Sequence, residues 1–175
     1  MILDFVRADL ARHREVLTRF NIEYLNWIGE AVQQRFGLSL ADLLGTPIPA
    51  YVEGALEKLC EGAPPAGVFY LVLDGDAVLG MGGLRRVREG VGEIKRIYVP
   101  KIARGGGLGA KILDRLMGDA RGFGYRELVL DTGPFMTSAH RLYEAAGFVD
   151  IPAYPEVEAP QALHHDWRFM KIALS

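Results

Sequence analysis

Apolar and polar positions change their period twice along the 175-residue chain. In the first third, Phe20, Tyr24, Trp27, Ile28, Ala31 and Val32 recur mostly at steps of three and four, which predicts an amphipathic helix closed by Gly37. Ser39 or Asp42 restarts a short turn before Gly45-Thr46-Pro47. A second helix is predicted over 50–61, burying Tyr51, Ala55 and Leu59, with Gly62-Ala63-Pro64-Pro65 as its stop. The pattern then turns to strands over 67–73, 77–84 and 91–99. Asp74-Gly75-Asp76 and Glu89-Gly90 are the turns between them, so three antiparallel strands precede a glycine-rich loop. A helix over 108–120 carries the stripe Leu108, Ile112, Leu113, Leu116, Met117 and Ala120. A short buried strand at 127–130 follows, then a helix capped by Thr137 or Ser138 and stopped at Gly147. Strands near 149–151 and over 169–174 end the pattern. Fold class is therefore α/β, in its mixed α+β form.

Composition narrows this picture. With 50% hydrophobic and 24% charged residues the chain builds a substantial core, and its length suits one domain over 1–175. A net charge of -2 argues against a broad nucleic-acid surface. The single cysteine, Cys60, excludes an internal disulfide and fits a reducing compartment. Asp4 comes too early for a signal peptide, and no apolar run is long enough to span a bilayer. The expectation is a cytoplasmic protein with neither nucleic acid nor membrane as partner.

Arg104-Gly105-Gly106-Gly107-Leu108-Gly109-Ala110 lies between a predicted strand and a predicted helix. Glycines let successive amides point to one spot, and a helix start adds free N–H groups and a positive dipole end. Together they suit a diphosphate. Gly105-x-Gly107-x-x-Ala110 also fits a dinucleotide fingerprint, with Asp131 ending the next strand as a ribose-binding acid would. Against this, Pro100-Lys101-Ile102-Ala103-Arg104 intervenes between strand and glycines, and antiparallel strands come first. A third option is a flexible turn that uses glycine only for tightness.

Arg104-x-x-Gly107-x-Gly109 resembles the Arg/Gln-x-x-Gly-x-Gly/Ala signature of the GCN5-related N-acetyltransferase (GNAT) family. Glu93-Ile94-Lys95-Arg96-Ile97-Tyr98-Val99-Pro100 looks like that family's fourth strand. The run from Ser138 through Ala139, Leu142, Tyr143, Glu144 and Gly147 to Phe148 is similar to its "A-x-x-L-Y-E-x-x-G-F" helix. The likeness covers residues 67–174. The stretch 130–137, with Ile151-Pro152-Ala153-Tyr154-Pro155, suggests a small bacterial branch without a defined substrate. The resemblance implies a mostly antiparallel mixed sheet flanked by helices, with a V-shaped cleft between strands 4 and 5. It implies acetyl-CoA as acyl donor, no metal, and direct transfer to a small-molecule or peptide amine. A homodimer is also open. Residues 67–174 would bind coenzyme A (CoA), and the helical part, 1–66, would lie on the acceptor side.

Acyl transfer from a thioester to an amine needs an anchored donor, a polarised carbonyl, a deprotonated amine and a protonated leaving thiolate. Residues Arg104, Gly105, Gly106, Gly107, Leu108, Gly109 and Ala110 would anchor the diphosphate. The apolar spacing Ile94, Ile97, Val99 breaks strict alternation once, as a β-bulge near Lys95-Arg96 would. Backbone groups at Ile97, Tyr98 and Val99 would then pair with the pantetheine arm. By periodicity alone Tyr143 is a core tyrosine beside Leu142 and Ala146; by resemblance it is the acid facing the sulfur. Glu93 is the resemblance's candidate base, the alternative being an ion pair with Lys95 or Arg96. Asp131 is the second carboxylate able to face the cleft, or a turn cap. The family's common asparagine appears here as Met136. By pattern Phe20, Tyr24 and Trp27 are core packing, whereas the resemblance puts the first helices over the acceptor, so that Tyr24 or Trp27 would border the substrate. His164-His165-Asp166 lacks further ligands at suitable spacing and is read as a solvated or substrate-loop segment. Two other functions stay in view: a non-catalytic acyl-CoA-binding module of the same fold, and a dinucleotide-dependent oxidoreductase.

Overall fold

Asp74-Gly75, with Gly75 at φ +59, turns the strand Gly67–Asp74 into the strand Ala77–Arg88, as the hairpin signal predicts. The computed structural model describes residues 2–175. Seven strands, β1 (Asp4–Arg7), β2 (Gly67–Asp74), β3 (Ala77–Arg88), β4 (Val91–Tyr98), β5 (Glu127–Thr132), β6 (Val149–Ile151) and β7 (Arg168–Ala173), form one sheet. Their order is β1-β2-β3-β4-β5-β7-β6, and only β4 and β5 run parallel. Among the described residues five α-helices accompany them: α1 (Leu10–Phe36), α2 (Leu40–Leu44), α3 (Ile48–Glu61), α4 (Leu108–Gly122) and α5 (Thr137–Ala146). This is the predicted mixed, mostly antiparallel α/β sheet.

Each face of the sheet carries its own core. Leu17, Phe20, Ile28 and Val32 of α1 join Val52 and Leu56 of α3 over Phe69, Leu71 and Met81. On the other face Ile112, Leu113 and Leu116 of α4 and Tyr143 of α5 cover Val68, Val72, Ile94 and Leu130. Sheet strands buried on both sides need continuous apolar runs, and β2 supplies one.

Several details depart from the sequence-based expectation. Asp4–Arg7 is a strand paired antiparallel with β2, so four strands, not three, precede the glycine loop. At four residues it is too short to show a period. The fully buried positions of α3 are Val52 and Leu56, one residue beyond the predicted Tyr51 and Ala55. Pro47 at the N-cap and Pro49 in the first turn start that helix at Ile48, two residues before position 50. Met136, not Thr137 or Ser138, holds the N-cap place of α5, without a side-chain cap. The turn that closes from Met136 N–H onto Gly133 C=O at 3.0 Å delivers the chain to the helix in its stead.

The feature that shapes the sheet is in β4. Met81 pairs with Tyr98 and Gly83 with Lys95, so β4 spends one residue more than β3 over the same span. Arg96 takes up the extra residue at φ +52. A non-glycine residue in that conformation costs about 1–2 kcal/mol. Arg96 Nη1 donates a 2.5 Å hydrogen bond to Oδ1 of the buried Asn21, and a charged hydrogen bond of about 1.5–3 kcal/mol offsets the strain. Before the bulge β4 pairs with β5 at Val91, Gly92 and Glu93; beyond Glu93 no β5 partner exists. The two strands diverge there, which opens the predicted cleft.

Close packing of α4 on β3 fixes where that cleft's helix begins. A Cβ at Gly82 would stand 2.6 Å from Cγ2 of the fully buried Ile112. Gly82→Ala is therefore expected to destabilise the fold by about 1–3 kcal/mol through overpacking. Urea unfolding would register this as a lower midpoint; an unchanged midpoint would mean that α4 has slack against the sheet.

Candidate active site

The cleft between β4 and β5 encloses about 590 Å3. One wall is β4 past its bulge, with Arg96, Ile97, Tyr98 and Val99. The floor is the glycine loop with the start of α4. The other wall is Asp131 with Phe135, Met136 and Leu142-Tyr143. On the β4 edge that faces the cleft, alternate N–H and C=O groups have no strand partner. Just past the end of β4, the carbonyl of Val99 is taken by Arg104 Nε, which donates to it at 2.9 Å.

Gly105 and Gly107 adopt φ +96 and +69, which other residues resist. Gly107 is the N-cap of α4 and contributes no side-chain cap, so the first amides of this 15-residue helix remain free to bind an anion. Apart from the adjoining chain, no protein atom lies within 4 Å of where a Cβ would stand at Gly105, Gly106 or Gly107. The loop's outer face is thus open to a ligand, and its geometry fits a diphosphate. Leu108, Gly109 and Ala110 line the cleft as Gly105 and Gly107 do; Gly106 does not. The Arg104 guanidinium lies 5.8 Å from the Trp27 ring, beside this floor.

The carboxylates divide between two environments. Glu93 is 1% exposed and does not line the cleft. Its Oε1 accepts from Arg85 Nε at 2.8 Å and its Oε2 from the Tyr154 hydroxyl at 2.7 Å. Lys95 is a more distant partner at 3.9 Å. Asp131 lines the cleft and also a smaller cavity of about 120 Å3 behind it, walled by Tyr24, Tyr51, Lys95, Arg96, Glu158 and Trp167 among others. Burial pushes its carboxyl up to about 6, against a 2.9 Å hydrogen bond from Trp167 Nε1.

Two tyrosines stand beside Asp131. Tyr143 is buried, packs its ring against Phe148 at 5.7 Å and lines the cleft. Burial, with the nearby Tyr24 and Asp131, raises its hydroxyl well above the ordinary phenol range. Tyr24 on α1 is raised to about 12, by burial and by the charge of Asp131, against the opposing effect of Arg96. Tyr24 therefore belongs to both cavities, while Trp27 lines only the cleft, between Phe135 and Arg104.

The structure thus gathers Tyr24, Trp27, Ile97, Tyr98, Val99, Asp131, Tyr143 and most of the glycine loop around one cleft, and leaves Glu93 in the adjoining ion-pair network. Sequence reasoning passed over Arg96 as a site residue, although the broken alternation marked its position. Trp167, Tyr154 and Glu158 reach the site from the loop after β6, where no pattern pointed to them. His164 instead bonds to Ala159 C=O at 2.7 Å, and the His165 side chain is 95% exposed. Among the described residues no His, Cys, Asp and Glu group of three or more is arranged to hold a metal. Nor is any of their helices long and apolar enough to cross a membrane.

The dinucleotide reading fails on topology. Although β4-α4-β5 is a parallel unit with a glycine loop, it stands alone in an antiparallel sheet. The model of the acetyltransferase (GNAT) family matches residues 39–148. The chain belongs to this family. It is 36% identical over 89 residues to an IAA acetyltransferase of Azospirillum brasilense, a stretch that is 50% of this chain and 58% of that protein. The chain therefore spans less than two thirds of that relative. Among solved structures, a GNAT-family acetyltransferase of Staphylococcus aureus Mu50 superposes with a TM-score of 0.69 at 18% identity, over 99% of this chain and 100% of the other. A GNAT-superfamily phosphinothricin acetyltransferase of Sinorhizobium meliloti, in complex with AcCoA, gives 0.67 at 22% identity, over 100% and 90%. At these identities the structures establish the fold.

Asp131 also makes stability depend on pH. Its folded value lies above the unfolded 3.8, so the folded state holds the proton more tightly. That stabilisation is complete below 3.8 and is lost as pH rises through about 6. Asp131→Asn is expected to remove this falling segment, so that the variant gains on the parent as urea midpoints are followed from pH 4 to 7. Parallel curves for the two proteins would contradict the buried position of this carboxyl.

Proposed function

We propose that the chain is an N-acetyltransferase that moves an acetyl group from acetyl-CoA directly to a primary amine. One observation carries the reading. The open β4 edge joins a diphosphate-binding loop at one end to a raised carboxyl and a buried phenol at the other. Membership of the GNAT family supports it independently.

When bound, acetyl-CoA supplies an acetyl group activated as a thioester. Gly105, Gly107 and the first amides of α4 hold its diphosphate, with the Arg104 guanidinium nearby. Free backbone groups of β4 past the bulge pair with the extended arm, and a β4 amide near Ile97 or Tyr98 donates to the carbonyl oxygen. Asp131 is better suited than Glu93 to act as base. It lines the cleft and its value near 6 leaves it ionised at neutral pH, whereas both oxygens of Glu93 are already engaged. It takes the proton that the amine must lose. Tyr143, with its raised value, stays protonated and presents an O–H to the departing sulfur. As a phenol harder to ionise than a thiol, it acts as a hydrogen-bond donor, and the proton that ends on sulfur derives from the amine.

Release of free thiol from acetyl-CoA in the presence of an amine panel tests this reading. Turnover is expected to rise with pH through about 6, as Asp131 loses its proton. Asp131→Asn should abolish that inflection and cost roughly 10²- to 10⁴-fold in rate, and Tyr143→Phe should lower kcat with CoA affinity nearly unchanged. Saturable CoA binding with no thiol release from any amine would favour a non-catalytic acyl-CoA-binding module.

A further inference from the structure

Around the two cavities behind the main cleft, every charged side chain but two has an ion-pair partner; Arg104, on the cleft floor, also lacks an acidic partner and lies against Trp27. Glu158 is held by Lys58 at 3.0 Å, by Arg85 at 2.7 Å and by Lys95, while Glu93 is held by Arg85 at 2.8 Å. Among the described residues that leaves Arg96 without an acidic partner and Asp131 without a basic one. Arg96 has only the neutral amide of Asn21, and Asp131 only the indole N–H of Trp167.

Both unmatched groups face the same space. Arg96 and Asp131 line the main cleft and the smaller cavity behind it, and Arg96 reaches a third cavity, of about 600 Å3, beneath α3. Tyr24 lies close enough to both that each charge acts on its hydroxyl. Asn21 fixes the guanidinium from behind. Its own Nδ2 is anchored on Leu17 C=O at 2.8 Å, so its Oδ1 remains directed at Arg96. An arginine has five N–H donors, and the bond to Asn21 uses one. Holding a guanidinium in a strained backbone conformation, without a carboxylate, leaves it prepared for an anion brought from outside.

We propose that the acceptor is an amine that also carries an anionic oxygen group, with Arg96 binding the anion and Asp131 receiving the amine. Free amino acids and aminophosphonates are the chemical class. This inference rests on the reading of the cleft as an acetyl-CoA and amine site. Protein lysines and peptide N-termini lack an anion beside the amine, so they are expected to be poor acceptors.

The test compares thiol release from acetyl-CoA with three matched sets of acceptors: free amino acids, their methyl esters and the corresponding aminophosphonates. CoA binding is measured separately by calorimetry. The parent protein is expected to favour the best free acid or phosphonate over its uncharged analogue by roughly 10- to 100-fold in kcat/KM, the worth of a charged hydrogen bond. The carboxylate and phosphonate arms decide which anion fits. Arg96→Gly keeps a residue at ease with positive φ and removes only the side chain. It should collapse the preference towards unity by raising KM for the charged acceptor, with kcat much less affected. Equal rates on free acids and esters would overturn the proposal. So would a preference that survives Arg96→Gly, or CoA binding without turnover on any member of the panel. If the parent does not bind CoA, the underlying reading of the cleft falls with it.

Discussion

A single extra residue in β4 organises this molecule. Without it, β4 and β5 would continue the parallel ladder begun at Val91 to Glu93, and every backbone group of the two strands would be satisfied within the sheet. The bulge at Arg96 stops that ladder, and the consequences follow from hydrogen-bond geometry. The β4 edge acquires unused donors and acceptors, the strands part, and the wedge between them receives the start of α4 on one side and Asp131 on the other. The strain at Arg96 is held in place by Asn21, a fully buried polar residue on α1. Helix α1 is thereby tied to the shape of the cleft.

The electrostatics are divided in the same way. Away from the cleft, Arg85, Lys95, Lys58, Glu93 and Glu158 neutralise one another and fasten the loop after β6 to the sheet. Beside the cleft, Asp131, Tyr143 and Tyr24 are raised chiefly by burial, with no cation paired to them. Groups of the first kind stabilise a local arrangement; groups of the second kind keep their protons to higher pH than they would in water.

Much of this was legible in the sequence, for physical reasons that differ by element. The hairpin at Asp74-Gly75, the stripe of α4 and the glycine that ends α5 are local signals, and each appears where local chemistry requires it. The bulge was legible too, because burial on one face forces the three-residue step from Ile94 to Ile97. β1 was not, since its four residues gain meaning only from pairing with β2. The fate of the two carboxylates was equally hidden. Glu93 and Asp131 both lie on strands at the cleft's base, and what separates them is Arg85 with Tyr154 for one and Trp167 for the other. Arg85 is a neighbour in the sheet, but Tyr154 and Trp167 come from a loop whose path no periodicity describes.

Past its bulge, β4 is expected to serve as the open edge for an acyl donor whose diphosphate sits on the glycine loop. A crystal structure of the chain with bound CoA tests it most directly. The expected result has the diphosphate within hydrogen-bonding distance of amides in the stretch 105–110. The pantetheine arm should lie along Ile97 to Val99, with its sulfur between Tyr143 and Asp131. A diphosphate bound elsewhere, or a β4 edge left unpaired with CoA in place, would contradict it.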